Sequence, residues 1–211
     1  MKFDNLIERE IIQLNKPILM EGTNQPLIIV DVQPSYDNWC SGVVDPIIEY
    51  LNESRGPALI FFNGEELDLD SKNAVIDYYL GNGLDEDKLR DIEFHEKTYA
   101  FLRDWMDEGV SDRIIIKTLR EMFIRREFDS RDIPPDELKA ALGNDLTPQV
   151  EGFIDDEMGI YVPLEDRVFS KMKMFRRSYL GGGGRHECLA EIKLLMDALN
   201  IRYRLVRDFI Y

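Results

Sequence analysis

Two short apolar runs, each closed by a polar residue, predict strands that are buried on both faces. Residues 26–31 carry Leu-Ile-Ile-Val before Asp31, and residues 58–62 precede Asn63 and Gly64. Apolar runs without polar alternation are typical of parallel sheets that helices cover on both faces. The pattern therefore favours an α/β protein.

A helical pattern follows each of these runs. Asp45 and Pro46 predict the first two positions of one helix, and Ser71 predicts the N-cap of another that ends near Gly81. A shorter strand is predicted over 92–95, with a helix from about 99 to 108. This alternation predicts a parallel sheet with right-handed crossovers.

The pattern changes between about residues 109 and 175, where helices are predicted to begin near Ser111, Pro135 and Pro163. We interpret this stretch as a helical insertion, because too few residues remain for an independent core. Three more predicted elements complete the pattern: a strand over 177–180, a helix from about 186 to 199 with Asn200 as its C-terminal cap, and a strand from 201 to 206 or beyond. The prediction is a single domain over 1–211 with a three-layer α/β/α, Rossmann-like fold and a mainly parallel sheet of about five to six strands.

The composition limits the partners that we expect. The 41 Asp and Glu residues outnumber the 26 Lys and Arg residues, giving a net charge of −15. Such a charge argues against nucleic acid and anionic membranes as partners. Only two cysteines occur. The first ten residues contain Asp4 and Glu8, where a signal peptide would be apolar, and no run of about 18 apolar residues is present. We expect a cytoplasmic protein that acts on a small molecule.

Three residues with reactive side chains are placed at predicted carboxyl ends of strands or in the turn after one, where open parallel sheets collect functional groups. Asp31 ends the first strand, Lys97 follows the third, and Cys188 lies in the first turn of a helix. A helix N-terminus and a nearby ammonium group favour the thiolate, and a carboxylate beside it can act as general base. Each residue also has a structural interpretation: a buried cysteine, a turn-forming aspartate and a surface lysine. Cys40 has no comparable setting, and for it we keep the structural interpretation.

The glycine run of Gly181, Gly182, Gly183 and Gly184 leads into the predicted helix of Cys188. Such a loop can form a tight turn, or it can hold an oxyanion or a phosphate. It lacks the pattern of a nucleotide-binding P-loop. His95 and His186 are the only histidines and show no ligand spacing, so we expect no metal and no cofactor.

These residues resemble the motifs of the isochorismatase-like cysteine hydrolases, which include nicotinamidases and N-carbamoyl amidohydrolases. The segment LIIVDVQPSYD is similar to that family's first strand with Asp31 and Gln33, and HEKTYAF is similar to the segment of its lysine, at Lys97. The segment YLGGGGRHECLAEIKLLMDALNIRYRL is similar to the strand, glycine turn, cysteine, long helix and next strand that carry its nucleophile, at Cys188. The resemblance implies an Asp/Lys/Cys triad that forms a thioester or related acyl-enzyme. Lys171 and Lys173 are rivals for the lysine, but they lie too close to the next strand for a parallel crossover of about a dozen residues.

The sequence departs from the family motifs in several places. Gly184, Arg185, His186 and Glu187 replace the small apolar residues and threonine that precede the family's cysteine, so the oxyanion site and substrate edge are expected to differ. The metal ligands of nicotinamidases have no match here, and nicotinamide is a poor substrate guess. The insertion is expected to form a lid or a contact in a homo-oligomer.

The resemblance implies hydrolysis of a small amide, imide or carbamoyl C–N bond by Asp31, Lys97 and Cys188. Gln33, Gly183, Gly184, Arg185, His186 and Glu187 are the candidates for binding substrate or oxyanion. Two alternatives stay open: a non-catalytic protein that binds a small anion or nucleotide at the glycine run, and a regulatory or interaction protein.

Overall fold

The apolar runs form the centre of one parallel sheet. The computed structural model describes residues 11–12, 24–64, 69–97, 109–125, 135–148, 150–152 and 166–211. Within these residues the strands are β1 (Ile11–Ile12), β2 (Leu27–Val30), β3 (Ala58–Asn63), β4 (Ile92–Lys97), β5 (Arg177–Gly182) and β6 (Arg202–Ile210). They are ordered β1-β6-β5-β2-β3-β4, and every neighbouring pair is parallel.

Helices and short 3-10 turns separate the strands. The helices are α1 (Asp37–Glu53), α2 (Lys72–Gly81), α3 (Asp112–Arg125), α4 (Pro135–Leu142), α5 (Asp166–Met174) and α6 (Cys188–Ala198). The 3-10 turns are Pro34–Tyr36, Glu86–Asp91 and Gly143–Asp145. This is the predicted fold class, a three-layer α/β/α, Rossmann-like arrangement.

The strand order contains a reversal beside β2. From β2 the chain moves to β3 and then β4 in one direction, and it returns to place β5 on the other side of β2 before adding β6. Since parallel crossovers are right-handed, the two directions send their helices to opposite faces. The carboxyl ends of β2 and β5 therefore meet at the switch point, where α/β sheets bind ligands.

The start of α1 was wrongly predicted. The helix begins at Asp37, eight residues before Asp45, and Pro46 lies inside it. An interior proline costs a helix about 3 kcal/mol. Because Cys40, Val43 and Val44 continue the buried face of the later turns, burial outweighs that cost.

Other predicted boundaries need smaller corrections. Strand β4 continues to Lys97, and β5 continues two residues into the glycine run. Helix α6 begins at Cys188, after a turn over 185–187. No pattern along the chain indicated β1. The predicted helix over 99–108 and the predicted start at Pro163 lie outside the described residues.

Several predicted helix ends are confirmed. The Ser71 side chain accepts a hydrogen bond from the Ala74 N–H at 3.3 Å at the start of α2. Helix α3 begins directly after Ser111, and α4 begins at Pro135. Asn200, with a φ of 56°, follows α6 in the left-handed conformation of a C-terminal cap.

The chain divides into two compact units. The first comprises Met1–Lys97, Phe175–Ala190 and Arg202–Tyr211 and contains the described sheet; the second comprises Thr98–Met174 and Glu191–Ile201 and contains α3, α4 and α5. The insertion over residues 109–175 and the single domain stay predictions from the sequence. None of the helices in the described parts of the chain has the length and apolar character needed to cross a membrane.

Candidate active site

Asp31 is the first residue after β2, and its backbone is constrained. Its φ is 55°, in the left-handed region that costs a non-glycine residue about 1–2 kcal/mol. Its N–H donates to the Phe61 carbonyl at 2.8 Å, and its carbonyl accepts from the Tyr211 hydroxyl at 2.7 Å. Both peptide groups of Asp31 are therefore fixed, one by β3 and the other by the residue that follows β6.

The Asp31 carboxylate forms a buried ion pair with Lys97. Lys97 Nζ lies 3.0 Å from Asp31 Oδ2, and the two side chains are 0% and 2% exposed. Strand β4 lies two positions from β2, about 10 Å away at ordinary strand spacing. A long side chain is needed to cross the end of β3, and a lysine at the last position of β4 supplies it.

The third predicted residue also contacts Asp31. The Cys188 side chain, at the first position of α6, lies close enough to the Asp31 carboxyl group to lower its pKa. Asp31 thus contacts both the ammonium group and the thiol. We call Asp31, Lys97 and Cys188 the triad; the rivals Lys171 and Lys173 belong to the other compact unit.

The protonation of Asp31 depends on its burial and on three neighbouring side chains. Burial raises the pKa of the Asp31 carboxyl above its ordinary value. The positive charge of Lys97 and the hydrogen bond from Cys188 oppose this rise, and the negative charge of Asp70 adds to it. A carboxyl group with a raised pKa is suited to accept and return a proton near neutral pH.

The glycines within β5 are needed because the sheet is closely packed. A Cβ at Gly181 would lie 2.5 Å from Phe209 Cβ, and a Cβ at Gly182 would overlap the backbone of Val30. Gly182 also has a φ of 109°. These two positions therefore serve packing between strands.

The two glycines after β5 have different roles. A Cβ at Gly183 would overlap the ring of Tyr211, and Gly184 has a φ of 59°. The Gly183 N–H donates to Val30 O at 2.8 Å, so it is not available to hold an oxyanion. The Glu187 N–H is likewise used by Gly184 O at 2.7 Å.

Arg185 follows the glycine run. Its Nε is buried and has no hydrogen-bond partner among the residues that the structure describes. His186 and Glu187 are exposed in the same turn. Gly184 and Arg185 are therefore the best placed of the residues that were predicted to bind substrate or oxyanion.

Gln33 joins the ends of two strands. Its Oε1 accepts from the Asn63 N–H at 2.8 Å, and its Nε2 donates to Asn63 O at 2.9 Å. Nε2 also donates to Ser35 Oγ at 3.1 Å. The side-chain amide of Gln33 is thus occupied by protein groups that align the loop after Asp31 with β3.

Cys40 lies in a separate polar cluster. Its Sγ is 3.7 Å from Gln33 O and 3.6 Å from the Tyr78 hydroxyl, which donates to Asp37 Oδ1 at 2.6 Å. Burial raises the pKa of the Cys40 thiol. This environment disfavours the thiolate.

Two residues near the triad were missed from the sequence. Asp70 is buried, accepts from the Ser35 N–H at 3.2 Å and acts electrostatically on Asp31. Tyr211 holds the Asp31 carbonyl. An aromatic residue after the last predicted strand was the one signal for Tyr211, and Asp70 had none that separates it from the other acidic residues.

The described residues contain no group of three or more His, Cys, Asp or Glu side chains placed to hold a metal ion. Comparison of the chain with protein-family profiles, curated proteins and solved structures gave no match. We therefore infer the chemistry of the site from the geometry of the triad.

Proposed function

We propose that the protein is a cysteine hydrolase that cleaves a small amide, imide or carbamoyl C–N bond, as the resemblance to isochorismatase-like hydrolases implies. One observation carries the proposal: a buried Asp31 carboxyl group contacts both the Lys97 ammonium group and the Cys188 thiol at the carboxyl end of the sheet. We further propose a cytoplasmic protein that acts on a small molecule without a cofactor, nucleic acid or membrane, in a homo-oligomer.

In the first half of the proposed reaction, Asp31 takes the Cys188 proton and Sγ attacks the substrate carbonyl carbon. A C–S bond forms, and the carbonyl electron pair moves onto oxygen. When the tetrahedral intermediate collapses, the C–N bond breaks and the leaving nitrogen takes the proton from Asp31. The products of this half are a thioester on Cys188 and a free amine, amide or ammonia.

In the second half, water attacks the thioester. Asp31 removes a proton from the water, the C–S bond breaks, and the proton passes to Sγ to restore the thiol. The substrate acyl group leaves as an acid. Asp31 thus serves as base in both halves and as the proton donor between them.

Lys97 keeps the charge of the site constant. The resting triad contains one carboxylate, one ammonium and one neutral thiol, whereas the activated triad contains one neutral carboxyl, one ammonium and one thiolate. Both forms carry zero net charge, so the proton moves without placing an unpaired charge in a buried site. The proton transfer therefore needs little reorganisation of the surroundings.

The oxyanion is assigned to the turn before α6. Backbone N–H groups next to a nucleophile at a helix N-terminus can stabilise the negative oxygen of a tetrahedral intermediate. Because the N–H groups of Gly183 and Glu187 are already used, we assign this role to Gly184 and Arg185.

The steric setting of the glycine run supports a hydrolase over a binding loop. A phosphate-binding loop leaves space above its glycines for the ligand. Here the space beside Gly181, Gly182 and Gly183 is filled by Phe209, Val30 and Tyr211.

The proposal is tested by turnover of a panel of small amides, imides and carbamoyl compounds. Turnover of the amides and carbamoyl compounds is measured by ammonia release, and ring opening of the imides is measured by ultraviolet absorbance. Cys188→Ala should lower turnover about a thousand-fold or more, and Asp31→Asn about a hundred-fold or more.

Cys40→Ala is the matched control, since it removes the other buried thiol and should retain turnover. The proposal fails if Cys188→Ala turns over any substrate as fast as the unmodified protein. It also fails if no class in the panel is hydrolysed.

A further inference from the structure

Strand β6 changes register before it reaches the site. Leu180 pairs with Leu205, so an unbroken parallel ladder would pair Gly182 with residue 207. Gly182 instead pairs with Ile210, so β6 contains three extra residues over this interval. Irregularities of this kind redirect side chains next to active sites. Here the shift brings Tyr211 to the end of β5.

Tyr211 contacts two parts of the site. Its hydroxyl donates to the Asp31 carbonyl at 2.7 Å, and its ring occupies the space beside Gly183 that a Cβ would need. Its N–H donates to Gly182 O at 3.4 Å. One residue therefore links the backbone of the base to the turn that precedes the nucleophile.

The link to Asp31 matters because of its backbone conformation. A left-handed φ is unfavourable for aspartate and persists only when neighbouring groups hold it. The Phe61 carbonyl fixes the Asp31 N–H, and Tyr211 fixes the Asp31 carbonyl. The direction of the Cα–Cβ bond, and so the position of the carboxyl group, depends on both bonds.

We infer that Tyr211 is a positioning residue: its hydroxyl holds Asp31 in the left-handed conformation that places the carboxyl group between Lys97 and Cys188. This inference rests on the proposed function, in which Asp31 exchanges a proton with Cys188. Tyr211 acts through Asp31 and takes no part in bond making.

The experiment measures the rate at which iodoacetamide alkylates Cys188 as a function of pH. Because the Asp31 carboxyl group and the Cys188 thiol lie close enough to influence each other, the titration of Asp31 should appear as a step in this profile. Among the described residues, the titratable groups coupled to Asp31 are Lys97, Cys188, Asp70, Tyr79 and Tyr211. Substitution of Tyr211 by Phe changes none of the carboxyl, amino or thiol groups among them.

Tyr211→Phe keeps the ring beside Gly183 and removes the hydroxyl. We expect the Asp31 step to move by about half a pH unit or more toward the ordinary carboxyl range, because a carboxyl group released from its fixed position regains solvent. Tyr50→Phe is the matched control: its hydroxyl donates to the Gln25 carbonyl at 2.9 Å, away from Asp31. That variant should lose a comparable hydrogen bond and keep the step unchanged.

Asp31→Asn completes the design. It should abolish the step, and Tyr211→Phe added to Asp31→Asn should change nothing further, since Tyr211 acts through Asp31. If Asp31→Asn abolishes the step while the Tyr211→Phe profile overlays that of the unmodified protein, the inference on Tyr211 is overturned and the proposed function stands. If Asp31→Asn retains the step, the proposed coupling of Asp31 to Cys188 fails.

Discussion

Replacement of Lys97 by Met tests the buried ion pair of the triad. The substitution keeps an unbranched side chain of similar length and removes the positive charge. The Asp31 side chain, which is only 2% exposed, then loses the cation that lies 3.0 Å from its carboxylate. The variant isolates the electrostatic role of Lys97 from its packing.

The expected loss of stability is large. Removal of one partner from a buried ion pair costs about 3–5 kcal/mol, because the remaining charge stays buried without compensation. Without the positive charge of Lys97, which lowers it, the pKa of the Asp31 carboxyl should rise further. Lys193→Met is the control: Lys193 and Asp197 are 3.1 Å apart but partly exposed, and such a helical pair is worth about 0.5 kcal/mol.

The loss should depend on pH. The pKa of Asp31 is raised in the folded protein, so the folded state retains this proton over a pH range in which the unfolded state has released it. The free energy of unfolding therefore falls as pH rises through the folded pKa. Lys97→Met removes an interaction that lowers this pKa, which extends the range upward. The variant should lose most stability near about pH 8 and less near about pH 5.

Urea unfolding at both pH values measures the effect. The double variant Asp31→Asn with Lys97→Met should recover most of the loss, because neither charge then remains buried. The reasoning is refuted if Lys97→Met costs no more than Lys193→Met at either pH. A large loss that is equal at both pH values would refute the electrostatic explanation.

Three further predictions concern the surroundings of the triad. Gly183→Ala should lower the free energy of unfolding by about 2 kcal/mol or more by steric overlap, whereas Gly42→Ala, with nothing near its Cβ, should raise it by about 0.5–1 kcal/mol; urea unfolding of both variants measures this. Gln33→Ala should cost about 1–3 kcal/mol in the same assay, because buried backbone groups at the end of β3 lose their partner. Iodoacetamide labelling with peptide mass spectrometry should modify Cys188 about ten-fold faster than Cys40 or more, since burial raises the pKa of the Cys40 thiol; equal labelling would contradict it.

The central strands could be predicted from sequence because their environment is uniform. Strands β2 and β3 are buried at every position, and continuous apolar runs are the direct consequence. Asp31 and Lys97 then follow as the residues at the strand ends. The parallel topology brings those ends to one edge of the sheet.

The parts that were missed depend on contacts between distant segments. Pro46 indicated a helix start, but the local signal was overridden by the burial of Cys40, Val43 and Val44. The position of Tyr211 depends on a register shift between β5 and β6, which no local pattern encodes. The need for Gly183 is visible only once Tyr211 is in place.

The most direct test of the central claim is whether an acyl group can be trapped on Cys188. The protein is mixed briefly with an activated p-nitrophenyl ester, quenched in acid, and mapped by peptide mass spectrometry. The account predicts a thioester on Cys188, formed more slowly in Asp31→Asn and absent in Cys188→Ala. Acylation that is confined to Cys40 or to surface lysines, with Cys188 unmodified, would contradict the claim that Cys188 is the nucleophile.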